Sequence, residues 1–296
     1  AICGYHGWHD WYLSTNLSDK KNLDSHLMKN LSINGVPRNL KNTVFPFEYN
    51  NFKQLKRLVE DKNIGIIKME VERNYVPKNN FLKKIRKLCD KKNIILIFDE
   101  CTSGFRGCFG GLHLNYNVNP DILILGKALG NGYAINAVLG KKDIMDASKK
   151  TFISSTFWTE RIGPTAALKT LEVMKEIRSW EQITKKGKFL KKIWGNLAKS
   201  NNLDIKLQGM DALGGFSFNS ENNLKYKTLI SQEMLKVGFL ATNTCYLSIS
   251  HTNDIFEKYA ENLDYVFQLI SRCEQGESVD NFLNSKICHS GFERLN

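Results

Sequence analysis

The chain has only 5 prolines in 296 residues, and its 7 cysteines contain no CxxC pair. No apolar run approaches the roughly 20 residues that a membrane-spanning helix needs, so no membrane partner is expected. Without paired spacings, Cys3, Cys89, Cys101, Cys108, Cys245, Cys273 and Cys288 read as reduced, mostly buried thiols. Acidic residues are in short supply, 30 against 42 Lys and Arg, which leaves a net charge of +12. Such a balance suits an anionic partner. The lysines, however, are scattered in pairs such as Lys83-Lys84, Lys149-Lys150 and Lys191-Lys192, on the polar faces of amphipathic helices. No RNP, helix-turn-helix or zinc-finger pattern accompanies them, so no nucleic-acid partner is expected, while an anionic substrate stays compatible. No basic segment followed by an apolar core opens the chain, which excludes a signal peptide from the reading and leaves the cytoplasm as the expected location. Internal repeats are absent as well.

What is present is enough chain for one large domain and a smaller one. The stretch from Ile94 to Tyr133 organises it. Residues 94–98 and 122–125 are apolar runs of the length of buried parallel strands. Asp99 ends the first run and Lys127 follows the second. Ligands of open α/β sheets collect at the carboxyl ends of strands, so both groups should face one crevice. That pair suits pyridoxal phosphate, which takes a lysine in a Schiff base and an acid to keep its ring nitrogen protonated. A structural ion pair at two strand ends is the alternative that these two residues alone leave open.

Upstream, a helix starts at Asn51 with Phe52, Leu55, Leu58 and Val59 inward, and residues 64–69 form a strand ending at Glu70. A second helix (Phe81, Leu82, Ile85, Leu88, Cys89) leads into the Asp99 strand, which implies a right-handed crossover and a parallel sheet. Residues 13–43 read as a long active-site loop with a turn at Asn34-Gly35-Val36-Pro37. Arg73 and Asn74 lie in a loop that could reach substrate, or simply carry solvated polar groups. Arg106 with Gly107, Gly110 and Gly111 predicts a tight loop at the crevice mouth, and His113 has no partner visible in the sequence. His6, His9 and Asp10 could be metal ligands, but no further ligand cluster follows, and no metal is expected.

Downstream, residues 134–139 predict another strand and Gly163-Pro164 a helix start. Beyond about Glu176 a smaller α+β unit is expected. It comprises a helix through Ile183, Leu190, Ile193, Trp194 and Leu197, a strand at 213–218, and a helix through Leu229, Ile230, Met234 and Leu235 closed by Gly238. A strand at 245–249 follows, then a helix capped by Thr252 or Asn253 with Phe256, Tyr259, Leu263, Val266, Phe267 and Ile270 inward. The tail from Cys273 to Asn296 has weak periodicity and is expected to pack loosely.

Phe98-Asp99-Glu100, then Thr102-Ser103-Gly104-Phe105-Arg106, then Leu125-Gly126-Lys127-Ala128-Leu129-Gly130-Asn131-Gly132 resemble the class-III aminotransferases, most of all the branch related to glutamate-1-semialdehyde 2,1-aminomutase. The spacing from Asp99 to Lys127 also matches that family. Both blocks at that spacing are a far more specific signal than either alone. The resemblance implies an α/β fold of the fold-type-I pyridoxal-phosphate transferases. It would comprise a mostly parallel large domain over 1–176, a small α+β domain over 177–272 and a tail over 273–296. In the family the opening AICGYHGWHDWY lies well inside the large domain, so the part bearing the phosphate-gripping loop is expected to be missing here.

Carried over residue by residue, the resemblance implies Lys127 as the Schiff-base lysine and proton shuttle, with Asp99 as partner of the ring nitrogen. It implies Tyr5 of the Tyr5-His6-Gly7 motif as the aromatic that stacks on the cofactor, with His6 beside it. Thr102 would lie near the cofactor's phenolic oxygen, and Thr156 would reach the cofactor phosphate of a neighbouring subunit, which makes a homodimer the expected assembly. The implied reaction moves an amino group from an amino donor to a carbonyl acceptor, on an amino acid or an amino-sugar or semialdehyde-type substrate. Val71 replaces the proline of the family's Glu-Pro pair, and Asn243 stands where the aminomutase has an active-site glutamate. An amide cannot supply the same charge or proton transfer, so transfer between molecules is favoured over the internal amine shift. The remaining alternative is a shortened, catalytically impaired homologue.

Overall fold

The computed structural model describes residues 1–26 and 29–291. Within them lie two compact units, Ala1–Arg178 together with Gly291, and Ser179–Ser290. The sequence places the change of pattern at about Glu176. The structure turns at Arg178, whose backbone sits in the left-handed region at φ 50° between two helices.

The first unit is built on a five-stranded sheet: β1 (Ile2–Cys3), β2 (Ile66–Met69), β3 (Ile95–Glu100), β4 (Ile122–Leu125) and β5 (Ala137–Gly140), adjacent in that order. β1 to β4 run parallel and β5 is antiparallel to β4. The predicted strand over 134–139 starts later, at Ala137, because Tyr133 turns back to bond the Gly130 carbonyl at 3.1 Å. β1 is too short to carry a periodic signal, and it is held between β2 and the chain at Phe45–Phe47, whose backbone bonds both sides of Ile2 at 2.9 and 3.0 Å.

Helix α1 (Phe52–Asp61) buries Leu55 but leaves Phe52, Leu58 and Val59 half-buried, and α2 (Phe81–Lys92) buries Phe81, Leu82, Ile85 and Cys89 but leaves Leu88 half-buried, so the 3.6-residue period sets the inward face and not the depth of each residue. Asn51 caps α1 by accepting the Gln54 N–H at 3.1 Å. Helix α3 (Ile162–Ile177) opens one residue before Gly163-Pro164. Its first free N–H groups, on Ile162 and Gly163, are both taken by the Glu160 carboxylate, and Pro164 has none to satisfy.

The second unit pairs an antiparallel sheet, β6 (Ile205–Gln208), β7 (Leu213–Phe218) and β8 (Thr244–Tyr246), with helices α4 (Ser179–Ser200), α5 (Asn223–Lys236) and α6 (Asn253–Glu274). Its core is aromatic: Trp194, Phe216 and Phe267 are fully buried, and Trp194 Nε1 donates to Tyr259 Oη at 2.9 Å. Thr252 caps α6, and every residue expected on the inner face of that helix is buried. At the end of α5, the Phe239 N–H reaches the Met234 carbonyl and the Gly238 N–H that of Leu235, with Gly238 at φ 85°. This double closure uses the glycine expected there. Leu235 is exposed, not inward.

The segment after Cys273 is less loose than its composition suggests. Val279 is buried, Gln232 donates to the Phe282 carbonyl at 2.8 Å, and the Cys288 N–H bonds Thr228 Oγ1 at 3.0 Å. The cysteines are all free; Cys3, Cys89 and Cys273 are buried, and the other four, Cys101 among them, are half-buried.

Candidate active site

Parallel pairing sets the site. Asp99 of β3 is in register with Ile124 of β4, and β4 ends at Leu125, so Asp99 and Lys127 leave adjacent strands at their carboxyl ends. Gly126 between them is a close approach: a Cβ there would lie 2.7 Å from Cys101 Sγ and also against Asn136 Oδ1. Lys127 itself takes the left-handed region at φ 43°. This is a conformation that costs a non-glycine residue about 1–2 kcal/mol and recurs at functional sites. The turn that holds it is closed by the Gly130 and Asn131 N–H groups on the Lys127 carbonyl, at 3.2 and 3.1 Å.

Lys127 Nζ donates to Thr102 Oγ1 at 3.1 Å and lies 3.5 Å from Cys101 Sγ. Asp99 is richly held. His6 Nδ1 lies 3.0 Å from its Oδ2, Lys68 Nζ lies 3.2 Å from the same oxygen, and the Cys101 N–H reaches Oδ1 at 3.3 Å. Burial alone would raise the Asp99 pKa, but the His6 hydrogen bond and the Lys68 charge outweigh it, and the carboxyl is held below its ordinary value. Burial lowers the His6 pKa against the pull of Asp99. The pair is therefore a neutral imidazole donating Nδ1–H to a carboxylate, which leaves His6 Nε2 buried without a partner.

Around this centre, the Tyr5 N–H donates to Glu70 Oε2 at 3.1 Å, and the Tyr5 ring is edge-on to Trp8 and Tyr12 at centroid distances of 6.0 and 5.9 Å. Burial raises the Glu70 pKa against the opposing charge of Arg73, whose Nη1 lies 3.4 Å from Glu70 Oε1. Arg73 thus closes onto Glu70 and onto the His26 carbonyl. Arg106 Nε donates to the Thr102 carbonyl at 2.9 Å, fixing the loop after β3. His113 does have a partner: fully buried Glu100 accepts from His113 Nδ1 at 2.7 Å, from the His113 N–H at 3.0 Å and from Ser103 Oγ at 2.9 Å. His9 stacks on Trp11 with ring centroids 6.0 Å apart.

The structure thus gathers His6, Asp99, Thr102 and Lys127, with Tyr5 on the same loop as His6. Thr156 is not brought to them. It is exposed in the segment that precedes α3. Asn243, in the second unit, spends its amide on the sheet, donating to the Phe216 carbonyl at 2.7 Å. Lys68 and Cys101 were not singled out by the sequence reading. A lysine within an otherwise apolar strand, IIKM, is the signal that would have found Lys68.

The family model of class-III aminotransferases matches residues 4–271. The 3-aminobutyryl-CoA aminotransferase of Cloacimonas acidaminovorans is 31% identical over 238 residues, 77% of this chain and 53% of that protein. The glutamate-1-semialdehyde 2,1-aminomutase of Wigglesworthia glossinidia brevipalpis is 27% identical over 290 residues, 90% of this chain and 66% of that protein. The chain therefore spans between about half and two thirds of the length of these relatives. The FumI protein of Sphingopyxis sp. MTA144, solved in its PLP internal aldimine form, shares the fold with a TM-score of 0.80 at 21% identity, over 94% of this chain and 66% of that one. With a strand-end carboxylate and amine on neighbouring parallel strands, and a family model that covers nearly the whole sequence, the chain belongs to the class-III aminotransferases.

Proposed function

We propose that the full-length protein is a pyridoxal-phosphate-dependent aminotransferase that moves an amino group from a small amino donor to a carbonyl acceptor, with Lys127 as its anchor. The observation that carries this reading is the placement of Asp99 and Lys127 at the carboxyl ends of adjacent parallel strands. The donor set fits the cofactor. An ionised, firmly held carboxylate suits a protonated ring nitrogen, and the Lys127 amine at the neighbouring strand end suits an aldehyde.

Bound there, the cofactor supplies an electron sink for a carbanion at the substrate's α-carbon. Asp99 holds the ring nitrogen's proton, and His6 fixes the orientation of Asp99. Lys127 Nζ would hold the cofactor and, once displaced from it by the substrate's amine, would carry the proton away from the α-carbon, with Thr102 Oγ1 keeping the amine in place. Tyr5 is assigned to the face of the ring, and Thr156 to the phosphate of a partner subunit in a cytoplasmic homodimer. The unit Ala1–Arg178 serves as the cofactor domain and Ser179–Ser290 as the small domain. The names of the relatives, an acyl-CoA aminotransferase and an aminomutase of a semialdehyde, support an amino acid or a semialdehyde-type amine as substrate. The Asn243 amide, bound to backbone, supports transfer between two molecules. The test is incubation of the loaded full-length protein with amino donors and assay of keto-acid release. Isomerisation of glutamate-1-semialdehyde with no donor would replace this reading by the aminomutase one.

A further inference from the structure

Lys68 is the feature of the site that the proposed function does not use. It pairs with Ile97 across the β2–β3 ladder, so its side chain projects from the face that also carries Asp99, two residues beyond Ile97. Its ammonium lies 3.2 Å from Asp99 Oδ2 and 5.1 Å from the centroid of the Trp11 ring, and the side chain is 16% exposed. His6 Nδ1 holds the same carboxylate oxygen, while Oδ1 accepts the Cys101 N–H at 3.3 Å. A cation in the middle of an apolar parallel strand is costly unless it is paired, and here both its partners, a carboxylate and an aromatic face, come from the site itself.

We propose that Lys68 is a positioning residue of the cofactor site, an internal counter-ion that fixes Asp99 through Oδ2 and weakens its hold on a proton at the cofactor's ring nitrogen. The proposal rests on the reading of Asp99 as the partner of that nitrogen. A fixed positive charge beside a carboxylate makes it a poorer proton acceptor, and it disfavours every protonated nitrogen nearby. With the cofactor bound, Asp99 would therefore face two cations, Lys68 built into the sheet and the ring nitrogen. Glu70, which interacts with Arg73 and Lys127, faces Asp99 from the end of β2, and His26 faces His6; all of these remain when Lys68 is replaced.

The test compares full-length wild type, Lys68→Met and Lys68→Arg. Without cofactor, the His6 imidazole is titrated by NMR. With pyridoxal phosphate, the pH midpoint of the absorption change of the lysine-bound cofactor is measured. Loss of the Lys68 charge should move the His6 titration to higher pH, and should move the cofactor midpoint up by on the order of one pH unit. Lys68→Arg should behave as wild type. If Lys68→Met does not fold, Lys68→Gln carries the same comparison with a neutral polar head. An unmoved His6, or an arginine variant that behaves like the methionine one, overturns the proposal, as does a His6 shift with an unchanged cofactor midpoint. A protein that takes up no cofactor contradicts the proposed function instead, and the His6 titration, which needs none, still decides whether Lys68 governs Asp99.

Discussion

His6 Nδ1 and Asp99 Oδ2 meet at 3.0 Å although 93 residues separate them in the chain. β1 and β3 flank β2, and the parallel register delivers the loop after β1 and the end of β3 to the same edge of the sheet. Asp99→Asn should leave the fold intact and weaken cofactor retention. A hydrogen bond to a charged group is worth about 1.5–3 kcal/mol, so the dissociation constant should rise roughly 10- to 150-fold. Equilibrium dialysis of the full-length variant checks this.

Acid should destabilise the fold in two stages. Burial holds His6 and His26 below their ordinary 6.5, so the unfolded chain binds protons that the folded one refuses. Stability then falls as the pH drops below 6.5. Asp99 and Asp121 are held below their ordinary 3.8. Their contribution is present above that value and is lost as the pH falls through their folded pKa. Urea unfolding across this range should show both stages, and His6→Gln should reduce the first.

Glu100 is fully buried, and its carboxylate accepts from Ser103, Leu112 and His113. Glu100→Gln puts an amide donor against N–H groups. Each buried donor left unmet costs about 1–3 kcal/mol, so a melting temperature lower by several degrees is expected in thermal denaturation.

The outline of the site was legible because its signals are local. Asp99 and Lys127 each close an apolar run, and the helices announce themselves by period, α6 down to each inward residue. What the sequence did not reveal depends on register or on a side chain reaching backbone. Lys68 meets Asp99 only through the β2–β3 ladder, His113 meets Glu100 across a loop, and Glu160 caps α3 in place of the usual short polar residue. Thr156 rests on the resemblance, because an exposed threonine ahead of a helix carries no local signal of its own.

The Glu160 cap of helix α3 can be tested in the same way. Glu160→Ala frees the N–H groups of Ile162 and Gly163 and should cost about 0.5–2 kcal/mol, seen as a lower urea midpoint with unchanged slope.

The central claim is that Lys127 carries the cofactor. Full-length protein saturated with pyridoxal phosphate is treated with borohydride, digested and mapped by mass spectrometry. The account predicts a reduced pyridoxyl group on Lys127 and its disappearance in Lys127→Ala. A pyridoxyl group found instead on Lys68, or retained undiminished in the Lys127→Ala protein, would contradict it.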